Sequence, residues 1–502
     1  MTSLEYQSSA PHELPRALNL AQAISIVIGT VVGSAVFLVP YEMTRAAGSF
    51  SLVNLAWILG GLLSLAGAMT YAELGAMRPF AGGEYVYLRD AYGDGTAFLY
   101  MWTWFAIAKP ASIASVTSGL ALTLAQFQSF AFLDHAIPHT PILWAQVLAI
   151  AATWLITGLN CLGIRKAGDF QLAFTAFKVL LILAVIAMCF TLRPIVSAPA
   201  GSPASTHAHT VPAGNAARLR RAKPSAAKPP SHTHPAPIGG VSPAAGGAGG
   251  FMVALIAALW AYDGWNDLSM VGGEVRSPRR NLPMALVGGT AAVILLYLGV
   301  SAALEHLLPL AVIASSPRPA MVALGLISRP WTQTVLTVGM AVGILVGLNG
   351  TIMSGARVPY AAARDRLFFR MLAQVHPRFQ SPAHSLVVQG LLSTALLLAI
   401  GRFQQLFELA IFSEWLFYAI TSTTLFVFRR REPLRERPFR VPGYPVTPAL
   451  FLAASVVLLW YSYVANLRGS LVGTAIILCG VPLYRYFRTR RGMEAASARD
   501  AS

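Results

Sequence analysis

The chain has 502 residues, of which 55% are hydrophobic and only 11% charged, and its mean hydropathy is +0.59. Soluble domains carry about a quarter charged residues, so a soluble enzyme or binding protein is excluded. The formal charge of +17 would suit a nucleic-acid partner, but it sits at the ends of apolar runs, so no nucleic acid is expected.

The composition predicts an all-α polytopic membrane protein. Twelve transmembrane helices are read near 17–41, 51–77, 95–125, 141–161, 169–192, 251–272, 283–305, 332–356, 384–401, 404–428, 447–466 and 470–487. Residues 1–16 are polar and the first apolar run reads as a span, so no cleavable signal peptide is expected.

The first run holds Gly29-Thr30-Val31-Val32-Gly33-Ser34. Two glycines and two hydroxyl residues so close together predict an interrupted helix. Unpaired backbone at membrane depth is tolerated only inside protein or beside water, and the start of a half-helix from Ala35 would attract an anion. A kinked helix packed through small residues is the structural alternative. A β-branched residue at Gly33 is expected to abolish binding, on the view that the backbone there is strained and closely approached.

Glu73 lies near the end of the second span, and Pro79 to Tyr85 reads as a turn. Lys109-Pro110 implies a kink in the third span, with the lysine facing the bundle interior. In the fifth span Lys178 lies nine residues after Asp169. That is roughly 13 Å into a hydrocarbon core of about 30 Å, beyond the reach of a side chain that must snorkel. It should therefore find carbonyl or hydroxyl partners inside, as a strut or as a proton carrier.

Residues 193–250 are rich in Pro, Ala, Gly and Ser and read as a disordered extracytoplasmic loop. Its pairs His207/His209 and His232/His234 lack a fixed geometry, so no metal is expected. Beyond it, Trp260-Ala261-Tyr262-Asp263-Gly264-Trp265 forms a second interruption. Paired interruptions in two halves point to a transporter substrate site. Asn349-Gly350 interrupts the eighth span, and Arg357 to Asp365 follows it. With the N-terminus in the cytoplasm, cytoplasmic segments hold 24 Lys and Arg residues against five in the short outer loops, which orients both termini inward. Cys161, Cys189 and Cys479 show no metal or redox spacing.

Several stretches together resemble the L-type amino acid transporters of the amino acid–polyamine–organocation superfamily. They are Gly29 to Phe37, Tyr71 to Gly75 with Gly82 to Tyr85, Ala261 to Asn266, and Glu274 with Pro278 to Pro283. Arg357 to Asp365 and Arg437 to Pro445 complete the set. The resemblance implies a LeuT-type fold. Inverted repeats of five spans would occupy 17–192 and 251–428, with two accessory spans in 429–487 and cytoplasmic tails at 1–16 and 488–502. It also implies that amides around Val32, Gly33, Ser34 and Ala35 bind the substrate carboxylate. Carbonyls around Leu259, Trp260, Ala261, Tyr262 and Asp263 would bind its ammonium. Trp260 would stand at the family's aromatic gate, with core or lipid packing as the alternative, and Lys178 would replace a sodium ion between spans one and eight. Ala35 stands where the family often has glycine, and Arg366-Leu367-Phe368-Phe369 replaces a Gly- and Pro-containing turn. The loop between spans three and four lacks a cysteine, so no disulfide-linked heavy chain is expected.

The function expected is a sodium-independent secondary carrier of neutral amino acids in a bacterial inner membrane, working by alternating access. Its partners are a small amino acid and the lipid bilayer, with no cofactor. A cationic amino acid or polyamine exchanger is the alternative, motivated by Asp263 at the site. No nucleophile–base constellation, phosphate loop or metal spacing supports an enzyme.

Overall fold

The computed structural model describes residues 14–33, 35–125, 128–192, 246–316, 319–325, 331–400, 403–465 and 467–500. Its regular elements are all helices. The first apolar run makes two of them. Helix α1 (Leu20–Val31) opens on a capping box in which Asn19 and Gln22 exchange side-chain and backbone bonds at 2.9 Å. Helix α2 (Ala35–Ala47) resumes after the break. Next come α3 (Phe50–Met77), short α4 (Glu84–Tyr92) and α5 (Asp94–Thr103). A π-turn over Trp104–Ala108 then leads into α6 (Lys109–Leu124). Pro110 has no N–H to bond the Ala106 carbonyl, and the wider turn accommodates the missing bond.

Helices α7 (Trp144–Cys161) and α8 (Ile164–Thr191) precede α9 (Gly247–Ala261), which ends at the second break. A single turn, α10 (Asp267–Met270), follows. Then come α11 (Pro278–Leu307), α12 (Leu310–Ser315), α13 (Pro319–Gly325), α14 (Trp331–Gly355) and α15 (Arg357–Arg364). The series closes with α16 (Ala383–Ile400), α17 (Phe403–Arg431), α18 (Val446–Ala465) and α19 (Leu467–Asp500).

Nine helical stretches among the described residues are long and apolar enough to cross a membrane, and α1 and α9 are apolar but shorter. The protein is therefore an all-α, multi-pass integral membrane protein. Those nine coincide with nine of the expected spans. The expected first and sixth spans are broken, and the expected tenth falls on α17.

One boundary shifts. Helix α9 begins at Gly247, inside the stretch expected to be loop, and most of that stretch, with its histidines, lies outside the described residues. The stretch expected as a cytoplasmic tail, from 488, is helical and continues α19 as far as Asp500, because its Ala, Arg, Met and Glu residues favour helix.

Around the break, α1 packs against α8, α11 and α14, while α9 packs against α2 and α3. Sequence motifs far apart in the chain meet as ion pairs. Arg357 holds Glu274 through two bonds of 2.8 and 3.1 Å, and both side chains are fully buried. Glu73 accepts from Arg429 at 2.9 and 2.6 Å and from the Val441 amide at 2.7 Å. Asp365 accepts from Tyr85 at 2.9 Å and Arg89 at 2.7 Å.

Removing one partner of a buried pair leaves an uncompensated charge. Arg357→Met should cost about 3–5 kcal/mol, read as a lower thermal midpoint of the purified protein. The double change Glu274→Met with Arg357→Met should recover most of it. Equal stability of the single variant and wild type would contradict the pairing.

Candidate substrate-binding site

Helix α1 stops inside the protein, so its last carbonyls lack intrahelical donors. Side chains from two other helices supply them. Lys178 on α8 donates to the Gly29 carbonyl at 3.0 Å and also to the Val32 carbonyl. A cation at a helix C-terminus also suits the macrodipole. The Tyr297 hydroxyl on α11 lies 3.0 Å from Val31 O and 3.0 Å from Ala261 O. It therefore bridges the C-terminal ends of α1 and α9. Thr30 adds a third link, with its hydroxyl 3.0 Å from Gly264 O. Gly264 has φ +105°, which suits a residue without Cβ.

Beside these ends lies a cavity of about 170 Å³. The breaks line it with Thr30, Val31, Gly33 and Ala35 from one side and Trp260, Ala261, Asp263 and Gly264 from the other. Helix α6 contributes Ser112 and Ser115, α14 contributes Gly343, Gly347 and Thr351, and α17 contributes Glu414.

A buried charge cluster borders the cavity. Lys109 Nζ lies 2.6 Å from Asp267 Oδ1, 3.8 Å from Glu414 Oε1 and 4.4 Å from the centre of the Trp104 ring. Asp263 accepts from the Tyr418 hydroxyl at 2.9 Å, and that hydroxyl is also 2.8 Å from Asn266 Oδ1. Asn266 in turn donates to Glu84 at 2.9 Å.

The chain matches the amino acid permease family over residues 18–481. It belongs to that family. The permease is 28% identical to the serine/threonine exchanger SteT of Bacillus subtilis, over 95% of this chain and 98% of that protein. It is 27% identical to the human b(0,+)-type amino acid transporter 1, over 91% and 84% of the two chains. To the mouse Asc-type amino acid transporter 1 it is 28% identical, over 94% and 81%. The permease is thus a secondary-active amino acid transporter in a lipid bilayer, not an enzyme.

Of the residues singled out from the sequence, Gly33, Ala35, Trp260, Ala261 and Asp263 meet at the cavity. Ser34 lies outside the described residues. Val32, Leu259 and Tyr262 are buried away from it, and Tyr262 stacks on Tyr297 with centroids 5.1 Å apart. The amides expected to bind a carboxylate are partly engaged. The Val32 amide bonds Ile28 O and the Gly33 amide bonds Val31 O, each at 2.9 Å. Two of the expected donors are therefore engaged, and Ala35 opens α2, whose first-turn amides have no intrahelical acceptor.

Among the described residues a Cβ on Gly33 would meet nothing within 4 Å, so the space beside it belongs to the cavity that it lines. The crowded glycine is Gly29, whose Cβ would lie 2.2 Å from Gln171 Nε2 and 2.6 Å from Thr175 Oγ1. Tyr297, Glu414 and Tyr418 escaped the sequence reading. Tyr297 sits in an apolar run and carries no local signal, whereas Glu414, an acid inside a span, was a detectable one.

Gly29→Ala should overpack the contact with α8 and cost about 1–3 kcal/mol. Gly33→Ala should remain within about 0.5 kcal/mol of wild type. Thermal unfolding of both variants checks this, and a destabilised Gly33→Ala beside an unaffected Gly29→Ala would reverse the assignment.

Proposed function

We propose that the permease is an L-type, sodium-independent exchanger of neutral amino acids, with its substrate bound between the two helix breaks. The observation that carries this reading is the Tyr297 bridge at the cavity wall. One hydroxyl hydrogen serves one carbonyl at a time, so even with the Gly33 amide on Val31 O the pair of carbonyls at Val31 and Ala261 retains acceptor capacity for an ammonium group. The N-terminal turn of α2, from Ala35, faces the same cavity and suits a carboxylate. An amino acid zwitterion matches that polarity. Val32, Gly33, Ser34, Leu259 and Tyr262 then shape the two breaks, and Trp260 covers the substrate.

Neutral side chains are favoured because Lys109 already answers Asp267 within the acidic cluster. The name of the serine/threonine exchanger, matched over nearly its whole length, agrees with this. Sodium independence rests on Lys178. Its ammonium takes the Gly29 and Val32 carbonyls, and its stem lies against Gly343 of α14, where an added Cβ would be 3.1 Å from Lys178 Cδ. A resident positive charge there repels a second cation. In this reading the twelve spans form two inverted repeats of five with two accessory helices, and alternating access opens the site to either side. The basic excess orients both termini to the cytoplasm of a bacterial inner membrane.

A second reading, a cationic amino acid exchanger, draws on the same cluster. Asp263, Asp267 and Glu414 all line the cavity with Lys109 as their counter-charge. Counterflow in proteoliposomes with labelled L-serine, against unlabelled threonine, leucine, arginine and lysine, separates the two. Competition by threonine and leucine supports the first reading, and competition confined to arginine and lysine supports the second. Replacing sodium by choline should leave uptake unchanged. Lys178→Ala and Tyr297→Phe should each lower exchange at least tenfold in monodisperse protein. Sodium stimulation, or full activity of Lys178→Ala, would refute the role given to Lys178.

A further inference from the structure

A second cavity of about 200 Å³ lies where the segment after α15 meets the end of α19, and it shares no lining residue with the substrate cavity. Its floor is aromatic. Phe368 packs on Phe105 and Phe487 with centroids 5.0 and 5.4 Å apart. Its rim is basic, formed by Arg366, Arg370, Arg490 and Arg491.

Two carboxylates answer these four guanidiniums. Glu494 pairs with Arg370 and Arg490, and Asp94 takes Arg491 at 2.6 Å. Among the described residues no ion pair holds Arg366, which is exposed at φ +59°, a left-handed conformation that favours glycine. Among the described residues, these four guanidiniums exceed the carboxylates paired with them by two charges.

Its level relative to a bilayer follows from helix length. The 34 residues of α19 extend about 51 Å, against a hydrocarbon core of about 30 Å. Part of α19 must therefore stand outside the core, and its basic end from Arg485 is that part. Beside these arginines, exposed apolar side chains accumulate: Phe369 is 51% exposed, Met371 48% and Met493 62%. Water alone would disfavour those apolar groups, and hydrocarbon alone would disfavour the guanidiniums. The headgroup layer accommodates both.

We propose that this cavity binds the headgroup of an anionic phospholipid. The guanidiniums take the phosphodiester, as a fork of N–H donors suits phosphate oxygens. The acyl chains run over Phe369 and Met371. Inorganic phosphate offers anionic oxygens without the apolar part, which separates the two sources.

Native mass spectrometry of the full-length protein in detergent tests the site with phosphatidylglycerol, phosphatidylcholine and inorganic phosphate. Phosphatidylglycerol should bind at least tenfold more tightly than phosphatidylcholine, and an equimolar amount of inorganic phosphate should not displace it. The double variant Arg366→Gln, Arg490→Gln should weaken phosphatidylglycerol at least fivefold and leave phosphatidylcholine unchanged. Glu494→Gln, which removes a competing carboxylate, should tighten it. Equal retention of the two lipids by wild type would overturn the proposal. So would displacement by equimolar phosphate, or phosphatidylglycerol binding unchanged in both variants. Should the double variant misfold, the wild-type lipid ratio and Glu494→Gln decide.

Discussion

A helix that ends inside a membrane protein leaves carbonyl oxygens with no water to bond, at a cost of several kcal/mol for each one left bare. This permease contains two such ends, at Val31–Val32 and at Ala261. Lys178 and Tyr297 satisfy them from α8 and α11. Because one Tyr297 hydroxyl reaches both ends, a single side chain holds the two breaks together, and it does so through Val31 and Ala261, which line the cavity. Local stability therefore depends on these carbonyls, two of which belong to residues that line the cavity. A cavity built from unpaired backbone needs such partners even when empty.

The charges follow the same logic. Membrane-buried ions are retained where each finds a counter-ion. Lys109 meets Asp267 and Glu414, Arg357 meets Glu274, and Glu73 meets Arg429. These pairs join helices remote in sequence, so they tie the half-helices to the rest of the bundle. The Lys109 cluster differs from the others in bordering the cavity, where its carboxylates exceed its ammonium. At the basic end of α19, by contrast, guanidiniums exceed carboxylates beside exposed phenylalanine and methionine, a composition suited to an interface with lipid headgroups.

Much of this architecture was legible beforehand. Apolar runs of about 20 residues announce membrane helices because the bilayer sets their length. A Gly, Thr and Ser cluster in the first run and the Trp260 to Trp265 stretch with Asp263-Gly264 announced the breaks, and Lys178 announced an internal partner because no side chain reaches the surface from that depth. All of these are local consequences of composition. The place of the first break within its motif was less legible. Gly29 and Thr30 remain helical, since Gly29 is small to admit Gln171 and Thr175 and not to bend the chain.

Composition and spacing alone determined that the chain crosses a membrane many times, that two helices are interrupted, and that a lysine is buried in the fifth span. Only the tertiary structure decided which groups meet at the interruptions. Tyr297 has no sequence signature, because a tyrosine in an apolar run looks the same whether it packs or bridges. The engagement of the Val32 and Gly33 amides, the open space beside Gly33 and the grouping of Lys109 with Asp267 and Glu414 depend on contacts between distant segments. Hydrogen bonds and ion pairs act over a few ångströms in space, whereas periodicity reports only neighbours along the chain.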